Sequence, residues 1–241
     1  MQNALYVSLS AQIAMDKRLN AVANNVANLS TSGYRAEDTK FTALLAQATK
    51  GAIAFASSGD TYISQRAGPT IKTDSPLDVA VQGEAWFAVR GAKGPVYTRD
   101  GRMTMDALGQ LRNLTGQPML DPGGAPILLD PQAGPPTIGR DGSVSQGINQ
   151  VGAIGLFTLD PKSTLTRAEP NGVSTSLPAT PVQDFTRMGM VQGFVEGANV
   201  NPVLEMTKLI TIQRAFESAA TLSSETETTF SGAIRSLSPQ G

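Results

Sequence analysis

The chain has 241 residues, 40% of them hydrophobic, with 19 basic and 20 acidic side chains. That is enough apolar material for one large domain or two modest ones, and the balanced charge offers no basic excess for nucleic-acid binding. Cysteine and histidine are both absent, which removes thiol nucleophiles, imidazole bases, Ser-His-Asp triads and thiolate or imidazole metal sites.

The opening Met1-Gln2-Asn3-Ala4-Leu5-Tyr6 lacks the basic stretch and uninterrupted apolar run of a secretory signal. From Met1 to Asn28 there is neither Gly nor Pro. Met15, Leu19, Val22, Val26 and Leu29 step by 4, 3, 4 and 3 and so share one stripe of a helix. Leu5, Leu9 and Ile13 form an earlier stripe displaced around the axis. The spacing predicts a helix over Asn3–Asn28, roughly 39 Å long at 1.5 Å per residue. Ser30-Thr31-Ser32-Gly33 ends it, with Gly33 a candidate left-handed cap. Residues 34–70 read as a connector, in which Ala36–Lys50 extends or restarts a helix and Ala52–Pro69 is extended and turn-rich. Runs such as Ala52–Ala56 are far too short to span a bilayer, so no membrane insertion is expected.

Residues 71–197 read as a β-rich domain. Short runs of β-formers, Pro76–Gly83, Trp86–Val89, Val96–Arg99 and Ile154–Leu159, alternate with turn signals. Asp100-Gly101 and Asp141-Gly142 suit tight reversals. No helical patterns alternate with the strands, which favours antiparallel pairing over βαβ units. Asn201-Pro202 then supplies a capping side chain followed by proline at the first helical position. Met206, Leu209, Gln213, Phe216, Ala220, Ser223, Glu227, Phe230, Ile234 and Leu237 step alternately by 3 and 4, with Ile210 beside them. This is a coiled-coil type of seam, interrupted by three polar positions. It predicts a helix over Pro202–Ser236, roughly 52 Å long.

The expected fold is α+β. Long N- and C-terminal helices form a discontinuous, coiled-coil-like helical domain (1–33 plus 198–241) around an inserted antiparallel β-rich domain. On periodicity alone the two seams either bury themselves against helices of neighbouring subunits or pack onto the β-domain.

The sequence offers little for catalysis. Asp100, Asp106, Asp121 and Asp130 all sit in apparent turns, where aspartate serves backbone hydrogen bonding. The Asp100–Asp106 stretch lacks the further ligands of a calcium loop. Gly91-Ala92-Lys93-Gly94 and Gly152-Ala153-Ile154-Gly155 lack the spacing of phosphate loops. No cofactor, metal or catalytic residue is therefore expected. Trp86-Phe87 reads as core, with a sugar- or base-stacking platform as the alternative. Asn20, Asn24 and Asn28 share one side of the first helix with Asn25 nearby, either as a solvated face or as amides fixing register against partner helices.

Ala23-Asn24-Asn25-Val26-Ala27-Asn28, followed by Ser32-Gly33-Tyr34-Arg35, resembles the N-terminal signature of the flagellar rod and hook proteins. Glu196-Gly197-Ala198-Asn199-Val200-Asn201-Pro202-Val203-Leu204-Glu205-Met206, continuing through Leu209-Ile210 to Gln213-Arg214-Ala215-Phe216-Glu217, resembles their C-terminal signature. Pro76–Gly83 and Tyr97-Thr98-Arg99-Asp100-Gly101 are similar to the central domain of the rod proteins. The opening and modest length are most similar to the proximal rod branch, with the distal rod branch as the alternative. Ser30-Thr31-Ser32-Gly33 and Gly83-Glu84-Ala85-Trp86-Phe87 depart from the family's usual Asn-Thr-Thr-Gly and Gly-Asp-Gly-Phe-Phe.

The resemblance implies a non-enzymatic structural subunit of the rod, the periplasm-spanning shaft of the flagellar basal body. It also implies export through the flagellar type III apparatus without a cleavable signal. Its partners would be other rod proteins, neighbouring copies of itself and the export apparatus, with no nucleic acid. The contacts would be made by Leu5, Leu9, Met15, Leu19, Val22, Asn24, Asn25, Val26 and Asn28 of the first helix. On the second they would be made by Met206, Leu209, Ile210, Gln213, Phe216, Ala220, Phe230 and Ile234. The alternative from another class is a peptidoglycan-binding or hydrolytic β-domain using Trp86 with Glu84 and Asp100.

Overall fold

The computed structural model describes the backbone of residues 2–40, 43–48, 51–56, 60–168 and 171–237. Side-chain environments are described for 9–40, 60–168, 171–221, 224–225, 228–229 and 232. The fold is α+β, with two helices, α1 (Gln2–Ala27) and α2 (Pro202–Leu237), and antiparallel strands between them. Contacts divide the chain into two compact units: Met1–Ala27 with Glu37–Tyr62 and Asn201–Gly241, and Asn28–Ala36 with Ile63–Val200.

In the helical unit, α2 starts as its sequence dictates. The Asn201 side chain accepts the Leu204 N–H at 3.2 Å, and its carbonyl accepts the Glu205 N–H at 3.0 Å. Two of the orphan donors at the helix start are thereby satisfied, and proline at Pro202 has no N–H to leave unpaired. The helix α1 packs on α2. Its interior stripe is Ala14, Ala21, Val22 and Asn25, and small side chains at positions seven apart allow close approach of another backbone.

Gly33 does adopt the left-handed conformation, φ 70°, but it lies six residues beyond the end of α1 and is not its cap. It is required because a Cβ there would lie 2.2 Å from the Asp100 nitrogen.

Within the expected connector, Ala43–Ala48 pairs antiparallel with Gly51–Ala56, in register from Ala43↔Ala56 to Ala48↔Gly51. Glu37–Lys40 hydrogen-bonds with Asp60–Ile63. The predicted helix over Ala36–Lys50 is thus strand at Glu37–Lys40 and Ala43–Ala48. Its helix formers Leu44, Leu45, Ala46 and Gln47 are overridden by a six-residue ladder to the following segment.

The β-unit is built on a six-stranded antiparallel sheet. Its spatial order is Leu165–Ala168, Gly172–Thr175, Gly94–Thr98, Ala85–Gly91, Leu156–Thr158, Thr180–Pro181. Both faces of its central strand are covered. Ala85, Phe87 and Val89 face a cluster with Val79, Leu111, Met119 and Leu156. Trp86 and Ala88 face a second cluster with Tyr97, Leu120, Phe157 and Val173. This is the period-2 alternation of a strand with two apolar sides. Trp86 and Phe87 are therefore both core, on opposite faces. A three-stranded sheet, Thr137–Ile138, Ser143–Gln146 and Asn149–Ala153, accompanies it.

Asp141-Gly142 makes the expected reversal, with Gly142 at φ 83° between the first two of those strands. Asp100-Gly101 does not join a paired hairpin. There the chain leaves the sheet and passes so near Val79 that a Cβ on Gly101 would lie 1.7 Å from the Val79 carbonyl.

Candidate assembly surface

The asparagine-rich end of α1 supplies the most constrained polar contact of the helical unit. Asn25 is 1% exposed. Its Nδ2 donates to the Glu37 carbonyl at 2.8 Å and to Glu205 Oε2 at 3.1 Å, and its Oδ1 accepts the Glu37 N–H at 2.8 Å. One side chain thus pins the end of α1, the start of a strand and the first turn of α2. Glu205, also buried, accepts from Lys208 Nζ at 2.7 Å through its other oxygen. At Asn25 the amide fixes register within the chain itself, between α1, the Glu37 strand and α2. Asn20 is exposed and donates to Asp16 at 3.2 Å. Asn28 forms a turn with Thr31, accepting its hydroxyl at 3.1 Å and its N–H at 3.1 Å.

The expected contact residues separate into three groups. Val22 and Asn25 are buried within the chain's own helical unit, Asn25 with hydrogen bonds to Glu37 and Glu205. Met15, Leu19, Val26, Asn28 and Leu209 are half-buried. Leu9, Met206, Ile210 and Phe216 are exposed, as are Asn24, Gln213 and Ala220; Ile13, outside the expected set, is exposed too. The side chains of Leu5, Phe230 and Ile234 lie outside the described residues, as do those of Ser223, Glu227 and Leu237.

The stripe that α2 buries is Glu205, Lys208/Leu209, Ile212, Ala215 and Ala219. It lies to one side of the predicted seam and leaves Met206 and Ile210 facing away, together with Val203 and Leu204. Glu205 and Ile212, the most deeply buried of the described residues of α2, are both absent from the sequence-based set. Ile212 carried a visible signal, one turn beyond Lys208. Glu205 did not, because a carboxylate on an interior face makes sense only with Asn25, 180 residues away, as partner.

In the β-unit the same signatures meet around one carboxylate. Glu196 Oε1 lies 2.8 Å from Arg35 Nη2 and accepts the Gly68 N–H at 2.9 Å. Arg99 Nε lies 2.8 Å from Oε2, an ion-pair contact rather than an aligned hydrogen bond. All three side chains are at most 3% exposed. The guanidiniums of Arg35 and Arg99 sit 5.5 and 5.8 Å from the centroid of the Trp86 ring, within cation–π range. Arg99 also donates to the Gly83 carbonyl at 2.9 Å and to the Ala85 carbonyl.

Burial, reinforced by the neighbouring Arg99 charge and opposed by Glu196, lowers the Arg35 pKa to about 10. Burial lowers Arg99 as well, against Glu196 and Glu84. Arg35 therefore remains charged at neutral pH. Each arginine stood in a quoted motif, but nothing in the motifs paired them.

Trp86, 6% exposed and in contact with two guanidiniums, is not an open stacking platform. Asp100 is taken up by Arg102, in contact with its Nε at 2.9 Å and its Nη2 at 2.7 Å. The remaining turn aspartates act as their sequence context predicts. Asp106 Oδ1 accepts the N–H groups of Leu108 and Gln110, and Asp121 Oδ1 those of Gly123 and Ala125. Among the described residues no cluster of three or more carboxylates could hold a metal ion, and no helix is long and apolar enough to cross a membrane.

Three family models match successive parts of the chain. The flagella basal body rod protein model covers residues 5–35, the flagellar hook protein FlgE/F/G D1 domain 80–146, and the flagellar basal body rod FlgEFG protein C-terminal model 191–235. These three matches, in this order along one chain, mark a rod-and-hook protein of the bacterial flagellum. The chain is 47% identical over 237 residues to the flagellar basal-body rod protein FlgF of Mesorhizobium japonicum, and the match spans 98% of each. It is 39% identical to FlgF of Rhizobium meliloti, again across 98% of each. FlgG of Buchnera aphidicola is 31% identical over 89% of this chain and 92% of its own. The chain belongs to the flagellar basal-body rod protein family, and within it is FlgF-like.

Proposed function

We infer that the chain is a structural subunit of the flagellar basal-body rod, of the proximal type. It resides in the basal body, acts through contacts rather than chemistry, and polymerises through its terminal helices. Near-full-length identity to FlgF proteins supports the rod assignment. The observation that carries the contact surface is the pair of apolar stripes that the helical unit leaves uncovered, Leu9 and Ile13 on α1 and Val203, Met206 and Ile210 on α2.

These stripes meet other rod components and further copies of the chain through heterologous contacts, which extend instead of closing. Helix packing between subunits is coiled-coil-like, with Leu209, Gln213, Phe216 and Ala220 at its margin. Each large apolar side chain still half exposed in the single chain gains roughly 1 kcal/mol when a neighbour covers it. The chain reaches the rod through the flagellar export apparatus.

Photo-crosslinking from position 210 in purified basal bodies tests the contact surface. Adducts with other rod proteins or with a second copy are expected. A fully assembled rod that contains the variant yet yields no adduct refutes the proposal.

A further inference from the structure

From Ser32 to Ala36 every residue of the chain is tethered. The Ser32 carbonyl accepts Asn171 Nδ2 at 2.7 Å, and the Gly33 N–H donates to the Glu196 carbonyl at 2.7 Å. The Tyr34 carbonyl accepts the Asn199 N–H at 3.2 Å, while the Arg167 guanidinium lies 4.2 Å from the Tyr34 ring centroid and donates to the Arg35 carbonyl. The Ala36 N–H donates to Asn199 Oδ1 at 2.6 Å, and its carbonyl accepts the Ser64 N–H at 2.8 Å. Asn199 Nδ2 reaches the Arg66 carbonyl at 2.6 Å, and the Gly197 N–H reaches that of Pro69 at 2.8 Å. Three segments distant in sequence, 32–36, 64–69 and 196–199, are therefore stitched together. Arg99 ties them to the backbone at Gly83 and Ala85, the edge of the central strand.

Glu196 is the centre of this arrangement. Its carbonyl and both carboxylate oxygens are engaged, and its carboxylate is the counter-charge shared by two buried guanidiniums. Withdrawing Arg35 leaves a neutral Glu196–Arg99 pair, whereas withdrawing Glu196 leaves two buried like charges against one indole without their shared counter-charge. Glu196 is therefore the member on which the other two depend.

We propose that the Glu196–Arg35–Arg99 trio is a clasp whose keystone is Glu196. It holds the two peptide segments leading to Glu37 and Asn201 on the β-unit, whether or not the terminal helices are ordered. The clasp rests on contacts within the β-unit alone and is independent of the rod assignment. Its role is positional: it fixes where the chain departs for each helical segment.

Hydrogen exchange on the purified full-length chain tests it. In the wild type, residues 33–36 and 197–199 exchange as slowly as strand Ala85–Gly91, at denaturant concentrations where α1 and α2 exchange freely. In Glu196→Gln both segments accelerate together, by roughly 100-fold or more, while Leu111–Asn113 and Leu156–Thr158 stay within about threefold of wild type. Where Glu196→Gln does not accumulate folded, Arg35→Met removes one guanidinium and leaves the neutral Glu196–Arg99 pair. It accelerates both segments by several-fold and leaves the core strands unchanged. Wild-type segments that exchange with the helices overturn the clasp. So does acceleration that, in the Glu196 or Arg35 variant, spreads evenly over the β-unit or is confined to one of the two segments.

Discussion

Two isoleucines two residues apart on α2 separate the stability of the single chain from the stability of its assembly. Ile212 is 5% exposed and Ile210 53% exposed. Replacing Ile212 by alanine removes buried methylene groups and leaves a cavity, at a cost of about 2–5 kcal/mol to the helical unit. Replacing Ile210 by aspartate touches a side chain that the chain itself leaves half in water, so the monomer changes by about 0.5 kcal/mol or less.

On assembly the order reverses. Covering the exposed half of Ile210 is worth roughly 1 kcal/mol, and an unpaired carboxylate forced into that contact adds a penalty of several kcal/mol. At about 1.4 kcal/mol per decade, the subunit contact weakens by more than about 100-fold. Urea titration of the purified chain, followed by helical circular dichroism, reads the first quantity. Soft-agar motility and the yield of rod-containing basal bodies in a complemented null strain read the second. The expected result is an unstable but assembly-competent Ile212→Ala and a stable but assembly-defective Ile210→Asp. If Ile210→Asp lowers the urea midpoint as much as Ile212→Ala does, or supports normal rods, the assignment of faces is wrong.

Asn25→Asp sets a second carboxylate against Glu205 and removes the donor to the Glu37 carbonyl. It should destabilise the helical unit by more than about 2 kcal/mol at neutral pH, and the deficit should shrink as pH falls into the carboxylate range, read as urea midpoints at both values. Gly33→Ala places a Cβ 2.2 Å from the Asp100 nitrogen at φ 70° and should cost more than about 1 kcal/mol. Gly232→Ala, where a Cβ meets nothing within 4 Å, should instead stabilise α2 by about 0.5–1 kcal/mol; thermal melts give the sign of each. Asp106, Asp141 and Asp184 are held below their ordinary value of 3.8. For Asp106 the Gln110 N–H is the main cause, and for the other two it is the Ser143 and Thr186 hydroxyls. Their folded pKa values are depressed, so their stabilisation is present above pH 3.8 and is lost as pH falls through the lower folded values. NMR titration of the three side-chain carboxyl groups should give midpoints below those of the urea-unfolded chain.

The sequence by itself determined the features governed by rules acting over about four residues. The helix limits follow from the Gly- and Pro-free stretch up to Asn28 and from the Asn201-Pro202 start, whose cap forms as its side chain requires. The alternation of Trp86 and Phe87 follows from strand period, and the aspartate turns from local hydrogen bonding. The family signatures were equally legible, being contiguous strings.

Tertiary structure alone decided which stripe of α2 turns inward. Spacing by 3 and 4 permits several neighbouring faces, and the chosen one carries Glu205 and Lys208, which hydrophobicity counts against it. It also decided that the alanine- and leucine-rich stretch before Gly51 is a strand, because its partner ladder outweighs its helical propensity. The ion trio is the extreme case. Arg35, Arg99 and Glu196 are each an unremarkable charged residue in sequence. Their burial is tolerable only because folding brings them together, and a charge pays its desolvation cost only against a partner that no local pattern identifies.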